Sequence, residues 1–150
     1  MMIMSKRALI VDDDETIRDL LKILLEKEDI KSYTASSAEE ALAIIAKCKS
    51  APIQVLLTDL SLPGMDGLSL CRKLKRMEPL IVTIAITGYS DLFTLVECRE
   101  AGFDDYLIKP VSQSVLKAAL LSSFKRARYW ETIARRGLAK REVNGTGINL

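Results

Sequence analysis

The sequence predicts an α/β fold of the (βα)5 type, a doubly wound parallel sheet of five strands with helices on both faces. Two observations predict it. Short apolar runs alternate with longer amphipathic segments along the 150-residue chain, and 49% of the residues are hydrophobic, enough to fill a core. Alternation of this kind favours parallel strands joined by helical crossovers.

The short apolar runs are the predicted strands, because each is only a few residues long and is bounded by polar residues or turns. They are RALIV (7–11), IKSYTA (30–35), IQVLLT (53–58), LIVTIAIT (80–87) and DYLI (105–108). The second run alternates with polar residues. The fourth is the most apolar, and we expect it to be buried on both faces.

The amphipathic segments are the predicted helices. They cover residues 15–27, 36–49, 67–77, 91–101 and 112 to about 135. Asp14, or the residue before it, can cap the first helix. Ser37 and Glu40 form a capping box at the second helix. Asp66 caps the third helix, and Gly102 ends the fourth.

Charged residues are distributed unevenly along the chain. Residues 121–150 carry seven Lys and Arg against two Glu, a net charge of +5, and the 15 basic and 18 acidic residues before them give −3. The sequence therefore predicts one domain over residues 1–127 and a basic C-terminal helical extension or linker over 128–150. Gly137 is the first firm helix breaker, so we expect the last helix to end near residue 135.

Three roles are open for this extension. It can link to an output domain, it can pack on its own domain or on a second copy of the chain through Tyr129 and Trp130, or it can be a solvated basic segment. Nucleic acid is not an expected partner of this chain alone, because the extension has no recognisable nucleic-acid-binding fold.

Residue types and motifs that the sequence does not contain exclude several kinds of functional site. The chain has no His, which excludes a Ser-His-Asp triad, a Cys-His pair and His-ligated zinc. It lacks the glycine-rich motifs of nucleotide-binding loops. Its three Cys form no C-x-x-C pair, and neither a signal peptide nor an apolar run of bilayer length is present, so we expect a reduced cytoplasmic protein with no membrane partner.

Polar residues stand at the carboxyl ends of four predicted strands. They are Asp12 and Asp13 after the first strand, Asp59 after the third, Thr87 at the end of the fourth and Lys109 after the fifth. Parallel strands bring these ends to one edge of the sheet, where ligands bind. Clustered carboxylates favour a hard cation such as Mg²⁺. The set indicates phosphoryl transfer onto a carboxylate.

Four motifs in this order, VDDDE, LLTDLSLPGMDGL, IAITGYS and GFDDYLIKP, resemble the receiver domain of two-component response regulators. The likeness covers residues 6 to about 127. It implies a flavodoxin-like sheet with strand order 2-1-3-4-5.

The resemblance assigns the acids. Asp59 is the implied phosphoacceptor. Asp13 is the implied direct ligand of Mg²⁺, with Asp12 acting mainly through a coordinated water. Asp59 and the backbone carbonyl of Ser61 complete the implied metal site, and the Ser61 side chain is one of two groups expected to tune the lifetime of the phosphoryl group.

The resemblance also assigns the switch. Thr87 and Lys109 are expected to bind phosphoryl oxygens, and Tyr106 is expected to turn inward when Thr87 moves. Tyr89 is the second residue expected to tune phosphoryl lifetime, its bulk hindering an attacking water. The bond between Lys109 and Pro110 is expected to be cis.

The implied function is a phosphorylation-activated signalling receiver. A sensor histidine kinase or phosphotransfer protein is the expected donor, and the surface of the fourth helix, fifth strand and fifth helix controls a partner or output domain. The resemblance implies that the domain catalyses only its own phosphorylation and slow dephosphorylation. Two contexts stay open: a free-standing receiver, or the input domain of a longer regulator that can include a DNA-binding part.

One motif also matches a different class of protein, an enzyme. Asp12, Asp14 and Thr16 match the D-x-D-x-T loop of haloacid dehalogenase-type phosphatases, in which Asp12 would be the nucleophile. Those enzymes need further acids on a later strand, but after Lys109 the chain has only two acids, both in the basic extension. That alternative also leaves Asp59 without a role.

Overall fold

The computed structural model describes residues 5–88 and 95–143, with side chains described as far as residue 137. Five strands and five helices alternate along it. They are β1 (Lys6–Val11), α1 (Glu15–Lys27), β2 (Ile30–Ala35), α2 (Ala38–Lys47), β3 (Val55–Asp59), α3 (Gly67–Met77), β4 (Val82–Thr87), α4 (Leu95–Ala101), β5 (Asp105–Ile108) and α5 (Gln113–Val143). Residues 91–94, the predicted first turn of α4, lie outside the described residues.

All five strands are parallel and lie in the order β2-β1-β3-β4-β5, which confirms the predicted fold class. The registers bring the carboxyl ends of the central strands level. Val11 pairs with Thr58, Asp59 with Ile86, and Thr87 with Ile108. The strand order reverses between β1 and β3, so the residues after these two strands border the crevice where ligands bind in such sheets.

The core consists of two main apolar layers, because successive strand side chains point to opposite faces of the sheet. One layer packs alternate residues such as Ile10, Leu57 and Ile84 against α1 and α5. The other packs residues such as Leu9 and Leu56 against α2 and α3. All six residues of β4 are buried, as expected for a strand covered on both faces.

The helix starts carry the predicted caps. Asp14 accepts hydrogen bonds from two N–H groups of the first turn of α1, and Asp66 accepts one from the first turn of α3. Ser37 Oγ accepts the Glu40 N–H, but the Glu40 carboxylate binds the N–H and hydroxyl of Ser36 rather than the N–H of the capping residue. These two hydrogen bonds from Ser36 lower the pKa of Glu40.

The expected end of the last helix near residue 135 is wrong, because α5 continues for 31 residues to Val143. A single glycine in a helix costs only about 1 kcal/mol relative to Ala. Strong helix formers such as Ala134 and Arg135 precede Gly137, and no described atom outside the helix backbone and the two chain neighbours lies within 4 Å of its Cβ position. The boundary at residue 127 stays a prediction, since α5 crosses it unbroken. Of the helices in the described ranges, none is apolar enough over a sufficient length to cross a bilayer.

Candidate functional site

Three carboxylates meet at the carboxyl edge of the sheet. Asp12 and Asp13 follow β1, and Asp59 ends β3, the neighbouring strand. One oxygen from each of the three lies within 4.8 Å of the others. Asp12 and Asp59 are buried, with 3% and 8% of their surface exposed, whereas Asp13 is exposed. The cluster is therefore closed on the sheet side and open to solvent at Asp13.

Lys109 supplies the positive charge of the site. Its Nζ lies 2.8 Å from Asp59 Oδ2 and 3.2 Å from Asp12 Oδ2. Burial alone would lower the pKa of Lys109, but the hydrogen bond to Asp59 and the charges of Asp12 and Asp59 outweigh it, so the pKa is raised. The amine therefore stays charged, and it pairs with two of the three carboxylates.

For the pKa of Asp12, burial has a stronger effect than the neighbouring donors. Burial, together with the charge of Asp59, raises its pKa above the ordinary value, although the N–H of Asp14 and the Lys109 amine act to lower it. A metal cation bound by the carboxylates would relieve this excess of negative charge. The donors are all carboxylate oxygens, with neither imidazole nor thiolate, and this set fits Mg²⁺.

Main-chain contacts hold Asp59 in place. Its Oδ1 accepts the N–H of Ser61 at 3.0 Å, and its carbonyl accepts the hydroxyl of Thr58 at 2.9 Å. The first residue of α3, Gly67, donates its N–H to Leu60 O at 2.9 Å. A Cβ at Gly67 would stand 2.4 Å from the Asp59 carbonyl oxygen and 2.8 Å from Leu60 Cα. Only glycine permits this close approach of α3 to the end of β3.

The residues expected to act as a switch lie on the next two strands. Thr87 is buried at the end of β4, and its hydroxyl donates to Gly88 O at 3.4 Å. Tyr106, on β5, is half-buried against the cluster that includes Phe103. The peptide bond between Lys109 and Pro110 is cis.

The structure therefore brings four of the predicted residues into one cluster, namely Asp12, Asp13, Asp59 and Lys109. Ser61 stands beside it through its N–H contact. Tyr89 lies outside the described residues.

Three residues at the site were not found from the sequence. Arg18, on α1, donates to the Asp12 carbonyl at 2.7 Å. Glu39, on α2, accepts the N–H of Met65 in the β3–α3 loop at 3.3 Å. Gly67 makes the close approach described above. The one available signal was for Arg18, which stands one helical turn after the cap Asp14 and so faces the end of the strand.

The comparisons with known proteins all indicate the same family. The sequence profile of the response regulator receiver domain matches residues 8–121. The transcriptional regulatory protein AruR of Pseudomonas aeruginosa is 38% identical over 135 residues, which are 89% of this chain and 55% of that protein. The transcriptional regulatory protein SrrA of Staphylococcus aureus is 40% identical over 111 residues, 73% of this chain and 44% of that protein. The chain spans about half the length of these two relatives.

Solved structures agree with the sequence matches. A response regulator receiver domain protein from Clostridium thermocellum superimposes with a TM-score of 0.77 at 31% identity, covering 83% of this chain and 98% of that one. NtrX from Brucella abortus, in complex with ADP, superimposes with a TM-score of 0.76 at 28% identity over 98% of this chain and 31% of that one.

Proposed function

This chain belongs to the receiver domain family of two-component response regulators, and we propose that within it Asp59 accepts the phosphoryl group. Membership confirms the resemblance drawn from the motifs and makes the chain a signalling domain. The observation that carries the proposal is the setting of Asp59. Its two oxygens contact the Lys109 amine and the Ser61 N–H, and one of them lies within 4.8 Å of oxygens from Asp12 and Asp13.

The proposed reaction is a transfer between two nucleophiles. An oxygen of Asp59 attacks the phosphorus atom of a phosphohistidine on a separate kinase or phosphotransfer protein. The N–P bond breaks and its electron pair returns to the imidazole. The 150 residues contain no His, so the proposed phosphohistidine donor lies outside them.

The residues around Asp59 can neutralise the negative charge of the transferred phosphoryl group. Lys109 is already within hydrogen-bond distance of Asp59 and can pair with a phosphoryl oxygen, while the Thr87 hydroxyl can donate to another. Asp12, Asp13, Asp59 and the carbonyl of Ser61 would hold a Mg²⁺ ion. When bound, that ion would neutralise negative charge on the phosphoryl oxygens.

Phosphorylation changes the surface through charge. It adds about −1.5 to −2 charges to the pocket. We propose that Thr87 and Lys109 move toward the new group, that Tyr106 follows, and that the surface of α4, β5 and α5 then favours a different partner. Slow loss of the phosphoryl group, tuned by Ser61 and Tyr89, would reset the domain.

The wider context is part of the same proposal. Several relatives are named as transcriptional regulatory proteins, and the match to this chain covers about half of their length. An output domain under the control of this receiver is therefore one proposed partner, and a separate downstream protein is the other. A cytoplasmic location fits the three free cysteines.

Mapping the modified residue tests the acceptor. The protein is incubated with acetyl phosphate and Mg²⁺, the adduct is trapped by reduction, and the labelled peptide is identified by mass spectrometry. We expect the label on Asp59, and we expect Asp59→Asn to abolish it. Asp14→Asn is the matched control, because it removes a carboxylate beside the cluster while Asn caps a helix as well as Asp does.

Two outcomes contradict the proposal. A wild-type protein that gains no phosphoryl group under these conditions removes its basis. A label on Asp12 instead of Asp59 supports the phosphatase alternative.

A further inference from the structure

Arg18 contacts the end of β1 next to the acidic cluster. It is half-buried on α1, and its Nη1 donates to the Asp12 carbonyl oxygen at 2.7 Å. The N–H of Asp12 donates in turn to Ala35 O at the end of β2, at 3.2 Å. The peptide groups on both sides of the Asp12 Cα are therefore tied to neighbouring elements.

Each oxygen of Asp12 has a different donor. Oδ1 accepts the Asp14 N–H at 2.9 Å, Oδ2 accepts the Lys109 amine at 3.2 Å, and the main-chain oxygen accepts Arg18. Asp14 and Lys109 occupy carboxylate oxygens that a cation would also use. Arg18 occupies an oxygen outside the carboxylate, so its hydrogen bond can persist when the carboxylate binds a metal.

This hydrogen bond joins two elements of the fold. The guanidinium belongs to α1, and the carbonyl oxygen that it contacts lies directly after β1. Arg18 therefore links α1 to the end of β1. A link of this kind restricts the main-chain movement of Asp12 and of Asp13, the next residue.

We propose that Arg18 is a positioning residue for the divalent cation site, holding the end of β1 so that the carboxylates of Asp12 and Asp13 stay within reach of Asp59. The inference rests on the proposed function and goes beyond it, because Arg18 contacts the main chain of Asp12 rather than a carboxylate of the cluster. Groups that orient metal ligands typically contribute about 10- to 100-fold in metal affinity.

Three variants separate positioning from charge and from general stability. Arg18→Met removes the donor and keeps an apolar stem. Arg18→Lys restores a donor and the charge. Lys22→Met, on the exposed side of α1 one turn later, removes the same charge away from Asp12. For each, the dissociation constant for Mg²⁺ is measured by titration calorimetry, and the melting temperature is measured in EDTA.

We expect Arg18→Met to bind Mg²⁺ about tenfold more weakly or worse. Arg18→Lys should recover most of this loss, and Lys22→Met should bind like wild type. The melting temperatures of Arg18→Met and Lys22→Met in EDTA should be similar, because the effect concerns the metal ligands rather than the core.

Two results overturn the inference alone. One is a wild-type chain that binds Mg²⁺ while Arg18→Met binds it equally well. The other is an Arg18→Met protein with a much lower melting temperature in EDTA whose weak binding Arg18→Lys does not restore, which indicates a structural role. A wild-type chain that binds no Mg²⁺ contradicts the proposed function and this inference with it.

Discussion

At the scale of single residues, the contact between Gly67 and the main chain of Asp59 allows a sharp test. In Gly67→Ala the new Cβ would lie 2.4 Å from a carbonyl oxygen, a backbone atom that cannot swing aside. Overpacking of this kind costs about 1–3 kcal/mol, which exceeds the gain of up to about 1 kcal/mol from helix propensity. We expect lower stability in urea denaturation, together with slower phosphorylation because Asp59 is displaced.

Gly137→Ala is the matched control for that variant. Gly137 is inside α5, and within the part of the chain that the structure describes no atom from outside the helix lies within 4 Å of its Cβ position. The same substitution should therefore stabilise the helix by up to about 1 kcal/mol. Shifts of the same sign in both variants would contradict the steric explanation.

A second prediction at this scale concerns the buried thiol of Cys98. Burial raises its pKa from 9.0 to about 11. The folded protein therefore keeps a proton that the unfolded chain loses above pH 9, so this thiol contributes stability below pH 9 that is lost as the pH rises toward 11. Urea denaturation at pH 8 and pH 10 should show a smaller alkaline loss of stability in Cys98→Ala than in wild type. Equal losses would disprove the assignment.

At the scale of secondary structure, α5 consists of two parts with different surroundings. Up to Ala127 one face is buried against the sheet, including Leu120 and Phe124. Beyond Ala127, the side chains of Tyr129 and Trp130 are 60% and 43% exposed. In this part of α5, Glu131 Oε1 accepts a 3.4 Å hydrogen bond from Nε2 of Gln54, the residue before β3. The first part of α5 therefore belongs to the core, and the second part continues the helix beyond the core.

This division predicts the outcome of truncation. A chain that ends at residue 131 keeps the buried face of α5 and should melt within a few degrees of the full chain. A chain that ends at residue 122 loses Phe124 and Ala127, and loss of a buried Phe side chain alone costs about 3–5 kcal/mol. We expect that shorter chain not to fold cooperatively in thermal denaturation followed by circular dichroism. An unfolded chain ending at residue 131 would contradict the predicted boundary near 127.

At the scale of the whole molecule, the alternating pattern and the strand-end rule predicted the architecture and the four clustered residues of the site. Both depend on signals that are local in sequence, namely apolar periodicity and the residue that follows each strand. The contacts of Arg18 and Gly67 were missed because they depend on the rotation of a helix and on the distance between α3 and β3. The end of α5 was missed because one unfavourable residue does not outweigh its helix-forming neighbours.

The unbroken course of α5 has a mechanical consequence. At 1.5 Å per residue, the 16 residues from Arg128 to Val143 form a rod about 24 Å long. A tilt of about 10° where this rod leaves the sheet would move its far end by about 4 Å, by simple leverage on that length. A small displacement of the domain surface would thus be amplified at the tip, without any change inside the rod itself.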